Sequence, residues 1–406
     1  MTSLTALPTA TVTAIHATPH KMVAAFAGAG SQAVAWLHGV GGSSRTILAA
    51  VDIYAPQSMR ALLGFTPARF TSRRVARLMA ARAYDLARSY RDNPGAGRPY
   101  PLYPGPGERL ADPIFGLGLT ATIATDREKR GEHRAAVAVR DGLGVITYDL
   151  TIAKGQRDRA GEESLVSLLL LQAAADACGV FGTPTLPLVA QEDLRVEFHP
   201  CEALAACERG ERPVVVLRPD GRVVSMVPSG GSTVVSGSFN PLHDGHEGLA
   251  VVAERRTGLP VLFELPLVNA AKAPIGLIEA RRRALQFGGK APVALTRHPL
   301  FEDKAQLMPG SVFVVGVDTA ERVVDPRFYD GDPDRMLASL RRIRERGCRF
   351  LVAGREVGGV FRTLAHVALP DGYRDLFEAL DEDEFRIDVS STEIRKGWHG
   401  LTETPR

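Results

Sequence analysis

Residues Gly237 to His246 read Gly-Ser-Phe-Asn-Pro-Leu-His-Asp-Gly-His, between an apolar strand-like run, Thr233 to Val235, and an amphipathic helical stretch, Glu247 to Arg256. A strand that turns into a helix within ten residues is at home in an α/β sheet. The turn also has the chemistry of a phosphate site. A helix start presents unpaired N–H groups and the positive end of the helix dipole, Gly237 and Gly245 let backbone approach a ligand, and His243 and His246 can converge on one anionic group.

At 406 residues the chain exceeds what one core usually fills, so two domains and a connector are expected. With 49 basic and 46 acidic residues the net charge is +3, which carries no nucleic-acid footprint. The arginine runs at Arg281 to Arg283 and Arg341 to Arg346 read as solvated helix faces. Cys178, Cys201, Cys207 and Cys348 show neither a CxxC pair nor metal spacing with histidine, which points to free thiols in a reduced, cytoplasmic protein. The longest apolar run, Leu165 to Ala175, is too short to span a bilayer, and Met1 to Thr18 lacks the pattern of a secretory signal, so no membrane partner is expected.

Three regions differ in texture. Residues 1–180 mix helical and strand patterns: His20 to Leu37 is Ala-rich and reads as helix, as do Arg73 to Ser89 and Ser164 to Cys178, while Ile114 to Thr120 and Ala135 to Val139 read as strands. Asn93 to Asp112, with five prolines, reads as a long loop. Residues 181–231 read as a connector or the edge of either domain, with a hairpin of Pro213 to Leu217 and Val223 to Val227 joined at Pro219-Asp220-Gly221. Residues 232–406 alternate strands and helices, with strands expected at Val261 to Leu265, Val293 to Thr296, Val312 to Val317 and Arg349 to Val352, and helices at Ile275 to Phe287 and Asp332 to Arg346. That pattern predicts a doubly wound parallel sheet, whose ligands sit at the carboxyl ends of the strands near the switch in strand order. Gly316-Val317-Asp318-Thr319 would then reach the same crevice as the decapeptide.

A second phosphate signal closes the chain. After a strand-like Phe385 to Val389, Ser390-Ser391-Thr392-Glu393-Ile394-Arg395 supplies a cap hydroxyl, a carboxylate three positions on and an arginine one turn further. Alone it is a capping box with a surface arginine. Paired with His243 and His246 at another helix start of one sheet, it has the makings of a triphosphate clasp.

The pair of motifs resembles the HxGH nucleotidylyltransferase superfamily over about Thr233 to Gly397, close to nicotinamide or nicotinate mononucleotide adenylyltransferases. The resemblance implies a Rossmann-like fold and transfer of an adenylyl group from ATP to a small phosphorylated acceptor, with release of pyrophosphate and with Mg²⁺ bound through the triphosphate rather than by protein ligands. In such a reaction the protein positions reactants and stabilises charge on the transferring phosphorus. His243 and His246 would donate to its oxygens and Arg395 would grip the β and γ phosphates. Gly237, Ser238, Phe239, Asn240, Gly245, Ser390, Ser391 and Thr392 would complete the nucleotide cradle, and Gly316 with Asp318 would contact ribose or base. Lys272 and Lys304 are second-tier candidates, with Arg297 beside them. Cytidylyl transfer, adenylyl transfer to another acceptor such as phosphopantetheine, and a nucleotide-binding regulator without turnover are the alternatives.

The N-terminal part resembles the CinA C-terminal domain family, nicotinamide mononucleotide deamidases, through Gly41-Gly42-Ser43-Ser44-Arg45, Tyr54, Ala61-Leu62-Leu63-Gly64 and Gly155-Gln156-Arg157-Asp158-Arg159. Its departures matter more. Ala27 falls where the family's nucleophilic serine would be, Met59 where its lysine would be, and Thr120-Ala121-Thr122-Ile123-Ala124 on its Thr-Gly-x-x-Gly loop. An alanine cannot attack an amide, and Ser31 would need a base nearby to replace it. A deamidase-like domain without deamidase chemistry is therefore expected, left to bind a nucleotide, assemble a homo-oligomer or serve as structure.

Overall fold

The computed structural model describes residues 8–92, 112–126, 130–268, 273–357 and 360–385. The first unit begins with α1 (Thr9–His16), β1 (Lys21–Ala27), α2 (Ser31–His38), α3 (Ser43–Thr46), β2 (Ile47–Asp52), α4 (Pro56–Leu63) and α5 (Arg73–Arg91). It continues with β3 (Ile114–Thr122), β4 (His133–Arg140), β5 (Gly144–Ile152), α6 (Arg159–Ala177) and β6 (Asp193–Pro200). The six strands form a mixed sheet in the order β2-β1-β3-β4-β5-β6, parallel across β2, β1 and β3 and antiparallel beyond.

The expected helix from His20 to Leu37 is a strand and then a helix. Its alanines suit either state, and the break comes at Gly28 and Gly30, both at positive φ. Ala24, Ala25 and Ala27 are buried because β1 lies between two strands and is covered on both faces. Helix α5 lies on β3 at two glycines: a Cβ on Gly118 would come within 2.2 Å of the Ala76 carbonyl oxygen, and one on Gly116 within 2.3 Å of that of Ala80.

The chain from 181 to 231 is divided between the two sheets. Strand β6 closes the first, α7 (Glu202–Glu208) follows, and the hairpin β7 (Val214–Leu217) with β8 (Val223–Val224) joins the second.

The second unit contains β9 (Thr233–Ser236), α8 (Asp244–Thr257), β10 (Val261–Pro266), α9 (Leu277–Leu285), β11 (Val293–Thr296), α10 (Phe301–Leu307), β12 (Val312–Gly316) and α11 (Val317–Val323). Then come α12 (Pro333–Glu345), β13 (Arg349–Ala353), the small hairpin β14 (Arg355–Val357) with β15 (Val360–Arg362), and β16 (Phe377–Leu380). Its sheet runs β16-β13-β12-β9-β10-β11-β7-β8, with the first six strands all parallel and β7 antiparallel to β11. Six parallel strands with the first in the middle are the doubly wound order, and the switch falls between β9 and β12. Two apolar cores cover the faces of this sheet, one built around Phe239, Phe263 and Phe287 and the other around Phe313 and Phe350. The last described strand is Phe377–Leu380, and of the strand expected at Phe385 to Val389 all but Phe385 lies outside the described residues. Among those residues no helix is long and apolar enough to cross a membrane, and all four cysteines are free thiols.

Because Gly118 has no room for a side chain against α5, Gly118→Val should destabilise the chain by about 1–3 kcal/mol or more through overpacking, with its urea slope unchanged. An unfolding midpoint equal to the parent's would mean that α5 does not rest on β3 at this point.

Candidate functional site

The decapeptide leaves β9 at the switch point and crosses the carboxyl edge of the sheet to α8. Its path is set by contacts on both sides. Phe239 takes φ +45°, a left-handed conformation rare for an aromatic residue, and its ring is buried in edge contact with Phe263 and Phe287. A Cβ on Gly237 would come within 2.7 Å of that ring, so glycine is required where the ring folds back. The Asn240-Pro241 peptide is cis.

From the other side, Gln286 just beyond α9 holds the loop with both ends of its amide. Its Nε2 donates to the Phe239 carbonyl at 2.9 Å, and its Oε1 accepts from the Leu242 N–H at 2.7 Å. Arg283 donates to the Ser238 carbonyl at 3.1 Å. Gln286 was not singled out by sequence, because a side-chain amide at a helix end has no spacing signature, and Arg283 belongs to the run expected to be a solvated face.

His243 is the N-cap of α8, and its Nδ1 accepts from the Gly245 N–H at 3.1 Å. That bond leaves the His243 proton on Nε2, which is then a donor. The rings of His243 and His246 lie 3.9 Å apart, tilted by 35°, and His246 meets the edge of Phe239 at 5.0 Å. Burial, and then the charge His243 would carry, lowers the His246 pKa to about 4; burial also lowers that of His243, against the pull of Asp244. Both imidazoles are neutral at pH 7. His246 Nδ1 is buried without a partner among the described residues.

Beside the loop lies a cleft of about 240 Å³ at the ends of β9, β10 and β12. Ser236, Gly237 and Ser238 form one wall, Gly316, Thr319 and Arg322 another, and Phe301, Phe328 and Tyr329 an aromatic side, with Lys304 reaching in. Its charged lining residues are Arg322 and Lys304, the latter paired with Glu264, and neither His243 nor His246 lines it.

Several expected residues sit elsewhere. Phe239 is part of the core, so its side chain does not reach a nucleotide. The Gly245 N–H is taken by His243, so the helix start offers fewer free N–H groups than its sequence promised. Asp318 stands in the first turn of α11 and accepts from Arg355 at 3.0 Å, outside the cleft lining. Lys304 is on a helix and only 3% exposed: its ammonium lies 2.8 Å from the Glu264 carboxylate, which also accepts from Thr296. Arg297 is exposed and outside that lining, while Asn240 is half-buried in the loop. Lys272, Ser390, Ser391, Thr392 and Arg395 lie outside the described residues.

In the first unit, Ala27 ends β1, and Met59 and Thr120 are buried. Ser31 opens α2 and donates to Glu163 at 3.0 Å; the same carboxylate accepts from the N–H groups of Gly30 at 2.9 Å and Gln32 at 3.2 Å. The start of α2 is thus satisfied from within the chain, and the hydroxyl's partner is a carboxylate rather than an imidazole.

The chain matches no family model, and no curated protein is recognisably similar to it. Similar solved structures include a competence-damaged protein (CinA) superfamily protein of Escherichia coli, 16% identical with a TM-score of 0.30, spanning 43% of this chain and 87% of that one. Others are the competence/damage inducible protein CihA of Agrobacterium tumefaciens, 16% identical with a TM-score of 0.29 over 42% of this chain and 91% of that one, and a CinA superfamily protein of Klebsiella pneumoniae, 14% identical with a TM-score of 0.30 over 43% and 98%. Likeness of this size carries no assignment of activity.

Two buried histidines tie stability to pH. His246 and His20, whose pKa burial lowers to about 3, must stay neutral in the fold, while the unfolded chain protonates both near their ordinary 6.5. Their contribution is complete above about pH 6.5 and is lost as pH falls toward 4 for His246 and 3 for His20. The melting temperature should drop between pH 6.5 and 4, and less steeply in the double variant His20→Gln, His246→Gln. Equal slopes for both proteins would refute this origin.

Proposed function

We propose that the chain transfers an adenylyl group from ATP to a small phosphorylated acceptor and releases pyrophosphate, the favoured acceptor being nicotinamide or nicotinate mononucleotide. The observation that carries this reading is the pair of neutral imidazoles, 3.9 Å apart at the start of α8, on the loop whose Gly237 and Ser238 line a cleft with Arg322 and an aromatic side at the switch point of a parallel sheet. A triphosphate lying over Gly237 and Ser238 would bring its α-phosphorus toward His243 and His246. The cleft would take the acceptor, with Phe301, Phe328 and Tyr329 suited to a flat ring and Arg322 to a phosphate. No carboxylate-bearing residue lines the cleft.

As the acceptor oxygen attacks the α-phosphorus in line, negative charge grows on the equatorial oxygens while the bond to the pyrophosphate oxygen breaks. Donors already fixed by the fold stabilise that charge without reorganising. His243 contributes its Nε2–H, held in that tautomer by the Gly245 N–H. His246 is oriented by Phe239. Mg²⁺ is expected to arrive on the triphosphate, as the resemblance implies, and Glu264 is already engaged by Lys304 and Thr296. Bound there, Mg²⁺ would neutralise phosphate charge. Arg395, with Ser390, Ser391 and Thr392, is assigned to the β and γ phosphates from sequence.

Purified protein with Mg²⁺ and ATP should release pyrophosphate with at least one phosphorylated acceptor of a panel containing both mononucleotides and phosphopantetheine, and CTP in place of ATP tests the cytidylyl alternative. His246→Ala should lower turnover by about 100 to 1,000 fold with the fold retained by circular dichroism. A His246→Ala protein that turns over normally would remove the mechanism, and pyrophosphate release from no pair would remove the activity.

A further inference from the structure

Helix α9 has two jobs on opposite sides. Toward the decapeptide it presents Arg283 and is followed by Gln286, whose bonds to Ser238, Phe239 and Leu242 hold the loop. Toward the first unit it presents Arg281, 1% exposed, whose guanidinium forks onto the Asp141 carboxylate with Nε at 2.9 Å. Asp141 is fully used: its other oxygen accepts from the N–H groups of Leu143 at 2.8 Å and Gly144 at 3.1 Å in the β4–β5 turn. Next along the helix, the Arg282 guanidinium stacks 4.0 Å from the Phe181 ring. The arginine run expected to be a solvated face is therefore a joint between units.

The backbone after the helix is gripped as closely. A Cβ on Gly179, at the end of α6, would come within 2.7 Å of the Gln286 nitrogen; one on Gly288 would meet the His20 ring at 2.6 Å, and one on Gly289 would meet Pro19 at 2.5 Å. The residue that holds the loop is thus itself seated on the first unit.

We infer that the first unit positions the phosphate-binding loop: the Asp141–Arg281 pair and the Gly179 contact fix α9 and Gln286, and Gln286 fixes residues 238–242. Gln286, Arg281 and Asp141 are positioning residues. Their effect on turnover rests on the function proposed above, whereas their effect on the loop does not. A buried pair costs most when one partner is left alone, so the joint is best loosened by replacing both. Asp141→Asn keeps an oxygen for the Leu143 and Gly144 N–H groups while Arg281→Met fills the space of the arginine stem.

The test is amide hydrogen exchange in the full-length chain without nucleotide, comparing the parent, Gln286→Leu, and the double variant Asp141→Asn, Arg281→Met. Both variants should exchange the peptide containing Leu242 at least tenfold faster, with single cooperative melts and with β12 and β13 exchanging as in the parent. Where the parent releases pyrophosphate, kcat should fall about tenfold or more in both, and KM for the acceptor should change less than threefold, because the cleft walls from β10, α10, β12 and α11 are untouched. Parent-like exchange around Leu242 in the folded double variant would overturn the inference. Faster exchange around Leu242 in both variants, with no turnover in the parent, would uphold the inference and sink the proposed activity.

Discussion

Strand Thr233–Ser236 pairs in parallel with a strand on each side, β10 and β12, and that double pairing is the constraint from which the second unit follows. A parallel neighbour can be reached only by a crossover, so chain leaving β9 must pass over the sheet edge on a helix, and the two crossovers must go to opposite faces. The crevice left at the switch is where the decapeptide and Gly316 meet. Had β9 been an edge strand, the same ten residues would have capped a helix with no cleft beside them.

Within that frame the loop has little intrinsic reason to hold its shape. It contains a residue at positive φ and no ladder hydrogen bonds of its own beyond Gly237 N–H to the Glu264 carbonyl. Its geometry is borrowed from below by the Phe239 ring, buried among phenylalanines, and from the side by Gln286. Gln286 in turn borrows its position from the first unit. The buried Arg281–Asp141 pair then makes sense as a device of register rather than of raw stability, since desolvating two charges consumes most of what their attraction returns.

The alternation of strands and helices after Ser232 was legible because each element is long enough to show its period, and the strand-to-helix turn at the decapeptide was legible from the apolar run before it and the amphipathic stretch after it. The strand order was not, since parallel pairing leaves no mark in a single sequence. Lys21–Ala27 was misread because alanine favours helices locally, while burial on both faces decided for strand. Arg281 was misread as solvated because its partner, Asp141, lies 140 residues earlier. Phe239 was read as a ligand contact because it sits inside the motif; its actual part is to hold up the motif from the core. Lys304, on α10, gave no sign of Glu264, its buried partner on strand β10.

The central claim is that the phosphates of a nucleotide lie at the start of α8. The most direct measurement is a crystal structure of the full-length chain with Mg²⁺ and a non-hydrolysable ATP analogue bridged between the α and β phosphorus atoms. The account predicts an α-phosphate oxygen within hydrogen-bond distance of the Nε2 atoms of His243 and His246, with the β and γ phosphates over Gly237 and Ser238. A nucleotide bound against the first unit, or in the second with its phosphates turned away from both imidazoles, would contradict it.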